Sequence, residues 1–422
     1  MIAAPAVGDE LSWTQWGGPS GDFSAPTGQL FPTWPETGPR ELWSRPLGPG
    51  YSAILYERDR LYTMLLENGR ESVICLDARN GETLWQQPYE SPPYRNQAGY
   101  GVGPRSTPLL AGDLLFTVGI TGEMLALEKD DGRIRWTRNL LGEGFSGTRL
   151  SHGYSSSPVA FETLVIVLVG GENGAIVAFD QDSGRVVWRT QTFRNSYSSP
   201  TIVEIAGRWQ ALVFMADELV GLDPASGELL WRHAHDNQWH TNISLPLVTD
   251  GNLIFLSSPQ IGARGIRIEQ VDGRFQVEEL WATRRIQFYH ATAVLQGDWV
   301  FGSSGVTTPA FMAAVNIRTG EIGWRKRGFA KANTLEADGQ LVILDEDGVL
   351  YLATATPEDL VVKAQTQLFE SVTWTPPTVV GNTLYARDRS RILAVQLGPA
   401  EPLDEVLTNR QSRVAPNSRL PP

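Results

Sequence analysis

Short apolar runs bounded by glycine, proline and small polar residues recur along nearly the whole chain. Each run has the length of a β-strand and leads through a turn into a second strand. The clearest runs lie at residues 61–64, 114–117, 165–168, 253–256 and 341–344. A step such as Thr107-Pro108 or Ser157-Pro158 often comes before the run and marks the first strand, because proline cannot donate to a sheet ladder. The pattern predicts an all-β protein of repeated four-stranded units.

A tryptophan recurs at the spacing of a propeller blade. The series, with gaps of 42–52 residues, is Trp43, Trp85, Trp136, Trp188, Trp231, Trp281 and Trp324. Five of these follow a turn like that of Asp77, Gly81 and Trp85, in which an acidic or asparagine residue, a glycine and the tryptophan are four residues apart. Such a turn suits a hairpin, because the first side chain can bond the turn backbone and glycine accepts the left-handed conformation. We interpret the tryptophans as packing residues between blades.

Counting units predicts an eight-bladed β-propeller of four-stranded antiparallel blades. Seven units begin near Tyr51, Ser106, Ser156, Ser198, Ser244, His290 and Asn333, and an eighth, residues 374–397, has three strands. Residues 41–47 have the form of an outer strand with no unit in front of them. We expect this strand, near Trp43, to join the last blade and close the ring, which removes the exposed sheet edges. Residues 1–40 are then an N-terminal extended strap, 41–397 the propeller and 398–422 a proline-rich tail.

Composition excludes several classes of function. The 422-residue chain has a formal net charge of -12 and no basic stripe, so we expect no nucleic-acid partner. No run approaches the ~18 apolar residues of a membrane span, and residues 1–10 lack the features of a signal peptide. Cys75 is the single cysteine, so neither an intrachain disulfide nor a cysteine-based metal cluster can form. We expect a monomeric propeller.

The tryptophan-ended unit resembles the pyrroloquinoline-quinone-type repeat of quinoprotein propellers, over roughly residues 41–397. That family includes calcium- and quinone-dependent dehydrogenases, a lipoprotein scaffold of the outer-membrane barrel assembly machinery, and many secreted propellers. The elements Trp16-Gly17-Gly18-Pro19 and Gly153 to Pro158 are most similar to the non-dehydrogenase members, which resemble the scaffold lipoprotein. The resemblance implies a periplasmic or secreted location.

The resemblance also allows the quinone chemistry to be checked. The quinone enzymes commonly use a ring made from two adjacent cysteines, a carboxylate base in the channel and a Glu/Asn pair for calcium. Here there is one cysteine, and Glu370 is the nearest acid before an inner strand. We therefore expect no cofactor; pyrroloquinoline quinone with calcium is the alternative.

Propeller symmetry brings the residues just before each inner strand to one mouth of the channel. We expect ligand-binding residues there and no catalytic residue or metal. The predicted ligand-binding residues are Tyr51, Tyr100, Arg105, His152, Tyr154, Arg194, Tyr197, His240, Asn242, His290, Asn333 and Trp374. Aromatic, amide and basic side chains of this kind suit a sugar, a carboxylate or an acidic peptide segment.

Other interpretations of this slot stay open. The polar side chains satisfy backbone groups where loops enter the channel, or His152, His240 and His290 hold a metal, although zinc ligands must meet within roughly 2.0–2.1 Å of one ion. We expect His233 and His235, which follow Trp231, at the surface. The sequence thus predicts a non-catalytic binding or scaffold propeller that holds a protein partner or small-molecule ligand. The alternative is a quinoprotein-like oxidoreductase or another enzyme with its site in the funnel.

Overall fold

A computed structural model of the chain describes residues 11–399 except 26–28, 92–100, 143, 146, 149, 173, 250, 307 and 308. These residues form eight sheets, each with a core of four antiparallel strands, and in seven of the sheets the four strands are consecutive in the chain. The first strands of several neighbouring sheets contact one another, as expected of strands that surround a common axis. The predicted all-β, eight-bladed propeller is confirmed. Within this part of the chain no helix has the length and hydrophobicity needed to cross a bilayer.

Two strands precede the first blade: β1 Ser24–Ala25 and β2 Arg40–Pro46. Blade 1 contains β3 Leu55–Glu57, β4 Arg60–Glu67, β5 Arg70–Asp77 and β6 Thr83–Tyr89. Blade 2 contains β7 Leu109–Ala111, β8 Leu114–Val118, β9 Glu123–Glu128 and β10 Ile134–Asn139. Blade 3 contains β11 Val159–Phe161, β12 Leu164–Leu168, β13 Ile176–Asp180 and β14 Val186–Thr190. Blade 4 contains β15 Thr201–Ile205, β16 Arg208–Phe214, β17 Glu218–Leu222 and β18 Leu229–Ala234.

The second half of the ring repeats the arrangement. Blade 5 contains β19 Leu247–Val248, β20 Leu253–Ser258, β21 Gly262–Val271 and β22 Arg274–Thr283. Blade 6 contains β23 Phe288–Gln296, β24 Trp299–Ser304, β25 Phe311–Asn316 and β26 Ile322–Lys326. Blade 7 contains β27 Ala332–Ala337, β28 Gln340–Asp345, β29 Val349–Ala355 and β30 Leu360–Gln367. Blade 8 contains β31 Thr378–Val380, β32 Thr383–Arg387 and β33 Arg391–Gln396, and β2 supplies its fourth strand.

The ring is closed by the strand that the sequence predicted. Strand β2 runs antiparallel to β33, with Trp43 opposite Ala394. On the inner side, the Thr378 hydroxyl of blade 8 donates to the Ile54 carbonyl of blade 1 at 2.5 Å. Since the two chain ends of the propeller share one sheet, the ring has no open seam in its hydrogen bonding.

The repeated tryptophans join neighbouring blades, as predicted. The indole N–H of Trp85 donates to the Lys129 carbonyl of the next blade at 2.9 Å, and that of Trp136 donates to the Gln181 carbonyl at 2.8 Å. Five of the seven rings also cover the turn glycine of the next blade: a β-carbon on Gly132, for example, would lie 2.5 Å from the Trp85 ring. This glycine therefore meets two requirements at once, a φ of 74° and the close approach of the indole.

Trp231 departs from this pattern for a local reason. Blade 5 has no aspartate-to-glycine turn, because β21 and β22, each of ten residues, form a long hairpin in its place. Trp231 instead donates to the Gln210 side chain of its own blade at 2.6 Å and is buried there. The junction between blades 4 and 5 is made by the hairpin, whose Phe275 and Val277 pack in the same apolar cluster as Trp231.

Residues 11–25 cross the end of the channel that lies opposite its mouth. Trp13 exchanges two backbone hydrogen bonds with Tyr56 of blade 1, and the Leu110 N–H of blade 2 donates to the Thr14 carbonyl at 2.8 Å. On the other side of the axis, β1 pairs in parallel with β27 of blade 7. All of these partners lie within the first strands, further along than the strand entrances that form the mouth. The N-terminal segment therefore spans the channel between blades 1, 2 and 7.

Candidate functional site

A cavity of about 260 Å³ lies on the propeller axis and is lined from every blade. One residue from each blade in order is Tyr51, Arg105, His152, Tyr197, Ser244, His290, Lys331 and Trp374. These residues stand where the chain enters the first strand of each blade, which is why the repeat brings them together. A cavity of this kind is the usual place for a ligand in a propeller.

The structure brings six of the twelve predicted ligand-binding residues to this cavity. They are Tyr51, Arg105, His152, Tyr197, His290 and Trp374. Tyr100 lies outside the described residues. The other five, Tyr154, Arg194, His240, Asn242 and Asn333, are not among the residues that line it. A ligand-binding role for any of the twelve stays a prediction.

Three of the five hold the backbone near the mouth. Tyr154 is buried and its hydroxyl donates to the Leu168 carbonyl. The Asn242 amide donates to the Met215 carbonyl at 2.7 Å, and also to two further carbonyls. Asn333 of blade 7 links blades 6 and 8, because its oxygen accepts the Thr292 N–H and its nitrogen donates to the Trp374 carbonyl at 3.0 Å. In these places the side chains serve the polar backbone of entering loops, one of the two interpretations that the sequence left open.

The remaining two belong to a cluster at the rim between blades 4 and 5. His240 Nδ1 lies 2.7 Å from Asp217 and 3.4 Å from Asp236, and Arg194 lies 3.6 Å from Asp217. Among the described residues, Asp217, Asp236 and His240 are the one group whose potential metal-ligand atoms come within 4.8 Å of each other. The three histidines considered as a metal site are therefore not brought together, because His240 lies in this rim cluster while His152 and His290 line the cavity.

One wall of the cavity is a stack of aromatic rings topped by cationic groups. The rings of Tyr51 and Trp374 stack with centroids 5.6 Å apart, and the His290 ring meets the edge of Trp374 at 5.9 Å. The Arg105 guanidinium lies 5.3 Å from the centre of the Tyr51 ring. Burial raises the pKa of Tyr51, against the opposing effect of Arg389 and Arg105, so the hydroxyl is neutral at physiological pH.

The two histidines of the cavity are neutral near pH 7. Burial lowers the pKa of His290 to about 4, and Lys331 acts in the same direction. Burial and the nearby Arg105 lower the pKa of His152. On the opposite wall, the Tyr197 hydroxyl accepts the His152 backbone N–H at 3.2 Å and fixes the entering loop. The positive charge at this mouth therefore comes from arginine rather than histidine.

The sequence reasoning missed three parts of the site. Glu346 accepts the Trp374 indole N–H at 2.9 Å and lies 3.3 Å from the Lys331 ammonium, yet it comes from the loop after β28 rather than from an inner-strand entrance. Trp16 and Phe23 of the N-terminal segment also line the cavity. Their signal was the Trp16-Gly17-Gly18 element, but nothing local in it indicates contact with the axis.

The expected surface position of His235 is wrong. His235 is fully buried, with its Nε2 2.9 Å from the Ser258 hydroxyl of blade 5 and its ring against Phe214. Burial lowers its pKa to about 3. His233 is largely covered as well, with 13% of its side chain exposed. Both follow Trp231, whose outer strand here is covered by the long hairpin of blade 5, so the position is interior.

The residues around the cavity do not fit a calcium-bound quinone. Calcium takes six to eight oxygen ligands, several of them carboxylates. Glu346 is held by Trp374 and Lys331, and Cys75 is buried inside β5 of blade 1. Burial raises the pKa of the Cys75 thiol to about 12, which disfavours the thiolate.

Comparison with known proteins places this geometry among quinoprotein-like propellers. The chain is 26% identical over 195 residues to the outer membrane protein assembly factor BamB of Alkalilimnicola ehrlichii, a match that covers 46% of the chain and 45% of that relative. The matched part thus spans less than half the length of this relative. The structural alignment with the crystal structure of BamB from Moraxella catarrhalis covers 86% of this chain and 99% of the BamB chain. Its TM-score is 0.59, and the sequence identity is 19%.

A quinoprotein enzyme shares the architecture. The quinohemoprotein alcohol dehydrogenase of Comamonas testosteroni has a TM-score of 0.68 at 13% identity, covering 93% of the chain and 81% of that structure. At such identities the two structural likenesses speak for the fold alone. The sequence profile of one family matches residues 69–326, more than half of the chain. This protein therefore belongs to the family described as outer membrane protein assembly factor BamB.

Proposed function

We propose that this chain is a non-catalytic binding propeller that holds a ligand in its axial cavity and offers the surrounding blade loops to a protein partner. The observation that carries the proposal is the cavity itself, to which all eight blades contribute a residue. The carboxylate that borders the cavity wall, Glu346, is engaged by the Trp374 indole and the Lys331 ammonium. A carboxylate held in this way supports the wall of a binding site rather than transferring protons.

Family membership supports the scaffold part of the proposal. The relatives carry the name of an outer membrane protein assembly factor, so we propose that this chain also works outside the cytoplasm and binds protein. Fractionation of the source cells with an antibody against the chain tests the location. Recovery of the chain with cytoplasmic markers would contradict it.

The ligand site is tested by thermal shift of the purified chain with a fixed panel: acetate, glucose, a tetra-glutamate peptide, and pyrroloquinoline quinone with calcium. We expect a saturable rise in Tm with at least one anionic probe, and its loss in Tyr51→Ala, which removes the stacked ring at the cavity wall. Arg133→Gln is the matched control, because its side chain is 68% exposed and pairs with Glu128 on blade 2.

Two results would count against the proposal. A shift that Tyr51→Ala leaves intact would place the ligand elsewhere on the chain. A quinone-derived absorbance that remains with the protein after gel filtration, together with alcohol oxidation, would instead support the oxidoreductase alternative.

A further inference from the structure

The floor of the axial cavity is apolar although several hydroxyl groups surround it. Trp16 and Phe23 meet edge to face there, with ring centroids 5.2 Å apart. Hydroxyls at the entrances of the inner strands bond the backbone of the neighbouring blade: Ser157 Oγ accepts the Thr107 N–H at 3.0 Å, and Ser199 Oγ accepts the Ser157 N–H at 2.9 Å. A ligand that reaches the floor therefore meets the two rings, beside hydroxyls that already serve the backbone.

The N-terminal segment holds this floor rigidly. Gly17, Gly18 and Gly21 all have a positive φ, and a β-carbon on Gly17 would lie 2.7 Å from the Gly21 carbonyl carbon. The Phe23 N–H donates to the Gly17 carbonyl at 2.8 Å, and the Phe23 carbonyl accepts the Glu336 N–H of β27 at 2.9 Å. The compact glycine turn and the strand pairing together keep Phe23 at the base of the cavity, so the cavity is closed at that end.

The mouth is cationic in a chain that is acidic overall. Arg105 and Arg389 both approach Tyr51: a β-carbon on Gly101 would lie 2.5 Å from the Tyr51 hydroxyl and 2.7 Å from the Arg389 guanidinium carbon. The ammonium of Lys331 is balanced by Glu346. Two guanidinium groups on one side of the opening favour an anionic head group, because arginine matches carboxylate geometry.

We propose that the cavity binds a small organic acid with one short apolar chain, its carboxylate at Arg105 and its chain directed towards Trp16 and Phe23. This inference rests on the proposed function, because it names the class of ligand for the same cavity. The volume of about 260 Å³ exceeds the roughly 150 Å³ of an apolar cavity that binds benzene, which leaves room for an eight-carbon acid such as octanoate. Head and chain are recognised at opposite ends, so both are needed for binding.

The proposal is tested by calorimetry and tryptophan fluorescence with octanoate, octan-1-ol, octylammonium and acetate at concentrations below micelle formation. Octanoate binds with one-to-one stoichiometry, acetate and octan-1-ol bind at least tenfold more weakly, and octylammonium does not bind. Equal affinity for octanoate and octylammonium would overturn the role of the arginines.

Two variants locate the two ends of the ligand. Arg105→Gln weakens octanoate binding by roughly ten- to hundredfold, because it removes a charge-assisted contact to the carboxylate. The affinity for octan-1-ol stays unchanged. Trp16→Ala deepens the cavity, so the preferred acid lengthens from octanoate towards decanoate. If Trp16→Ala does not fold, Arg105→Gln alone still decides the outcome. Arg133→Gln and Trp209→Ala are the controls, because both side chains are exposed and neither lines the cavity.

The outcomes separate this inference from the proposed function. If no amphiphile binds while tetra-glutamate stabilises the chain in a manner that depends on Tyr51, the inference is overturned and the binding function stands. If octanoate binds but Arg105→Gln and Trp16→Ala both behave like the controls, the acid occupies another site, and the inference fails. If neither the acids nor the peptide binds, both proposals fall.

Discussion

The Trp43 indole donates its N–H to the Ala78 carbonyl at 2.8 Å, and this bond joins the last blade to the first. Trp43 lies in β2, which is the fourth strand of blade 8, whereas Ala78 lies in the turn after β5 of blade 1. One residue therefore closes the ring twice, through its strand pairing and through its ring. The same tryptophan contact occurs between most of the other neighbouring blades.

Replacing Trp43 should destabilise the propeller as a whole. Trp43→Ala removes the indole that packs on blade 1 and leaves the Ala78 carbonyl without its donor. We expect the free energy of unfolding to fall by about 3 kcal/mol in urea titrations. Trp209→Ala is the control, because Trp209 is 37% exposed on β16, and we expect it to cost less than about 1 kcal/mol. Equal effects of the two changes would contradict the ring-closing role.

Replacing a turn glycine with alanine should destabilise the propeller through lost packing as well as through backbone strain. Gly81 and Gly69 have nearly equal φ values, 75° and 78°, but only at Gly81 would a β-carbon meet a ring, 2.6 Å from Trp43. Gly69→Ala should cost about 1–2 kcal/mol from the left-handed conformation alone. Gly81→Ala should cost about 2–3 kcal/mol more, because the indole must move. Thermal unfolding of the two variants measures the difference. Identical Tm values would show that the Trp43 ring can move away from the added β-carbon at no cost in stability.

A buried carboxyl between blades 1 and 2 should make stability depend on pH. Glu71 accepts the Tyr89 hydroxyl at 2.8 Å and the Ile120 N–H at 3.2 Å, and burial raises its pKa from 4.5 to about 7. The folded state then binds more protons than the unfolded state between these values. Stability from this group is present below pH 4.5 and is lost as the pH rises through 7.

Glu71→Gln should remove that dependence. Relative to the variant, we expect the wild-type chain to lose about 2–3 kcal/mol of unfolding free energy between pH 5 and pH 8, at 1.36 kcal/mol for each pKa unit. Glu228→Gln serves as the control, because the Glu228 side chain is 68% exposed. Parallel stability curves for wild type and Glu71→Gln would show that the carboxyl is ionised throughout this range.

Asn242 should act on stability without acting on the ligand. Its amide donates to the carbonyls of Met215, Ala216 and His235, and all of these contacts are buried. Asn242→Ala should lower the free energy of unfolding by about 2–3 kcal/mol. Octanoate affinity, measured on the folded variant by calorimetry, should stay within about twofold of wild type, which is under 0.5 kcal/mol. A larger loss of affinity would place Asn242 in the binding site.

The architecture was predictable because its signals are local and repeated. The turn from Asp77 to Trp85 recurs with the same spacing, and each copy specifies a hairpin from its own residues. The ring closure followed from an unpaired outer strand at one end and a three-stranded unit at the other. Prediction from local sequence failed where the repeat is interrupted. His235 was expected at the surface, but the long hairpin of blade 5 covers it, and it is buried.

The number of blades, the packing of most repeated tryptophans between blades and the ring of residues at the mouth all follow from the amino-acid sequence alone. Folding selects which of the predicted residues face the cavity: Tyr51 lines it, whereas the side chain of Asn333 bonds the backbone of the neighbouring blades. It also decided the floor, because Phe23 meets Glu336 across more than 300 residues of chain. Repeats report contacts within and between adjacent units, whereas a segment outside the repeat docks through non-local packing that no local period encodes.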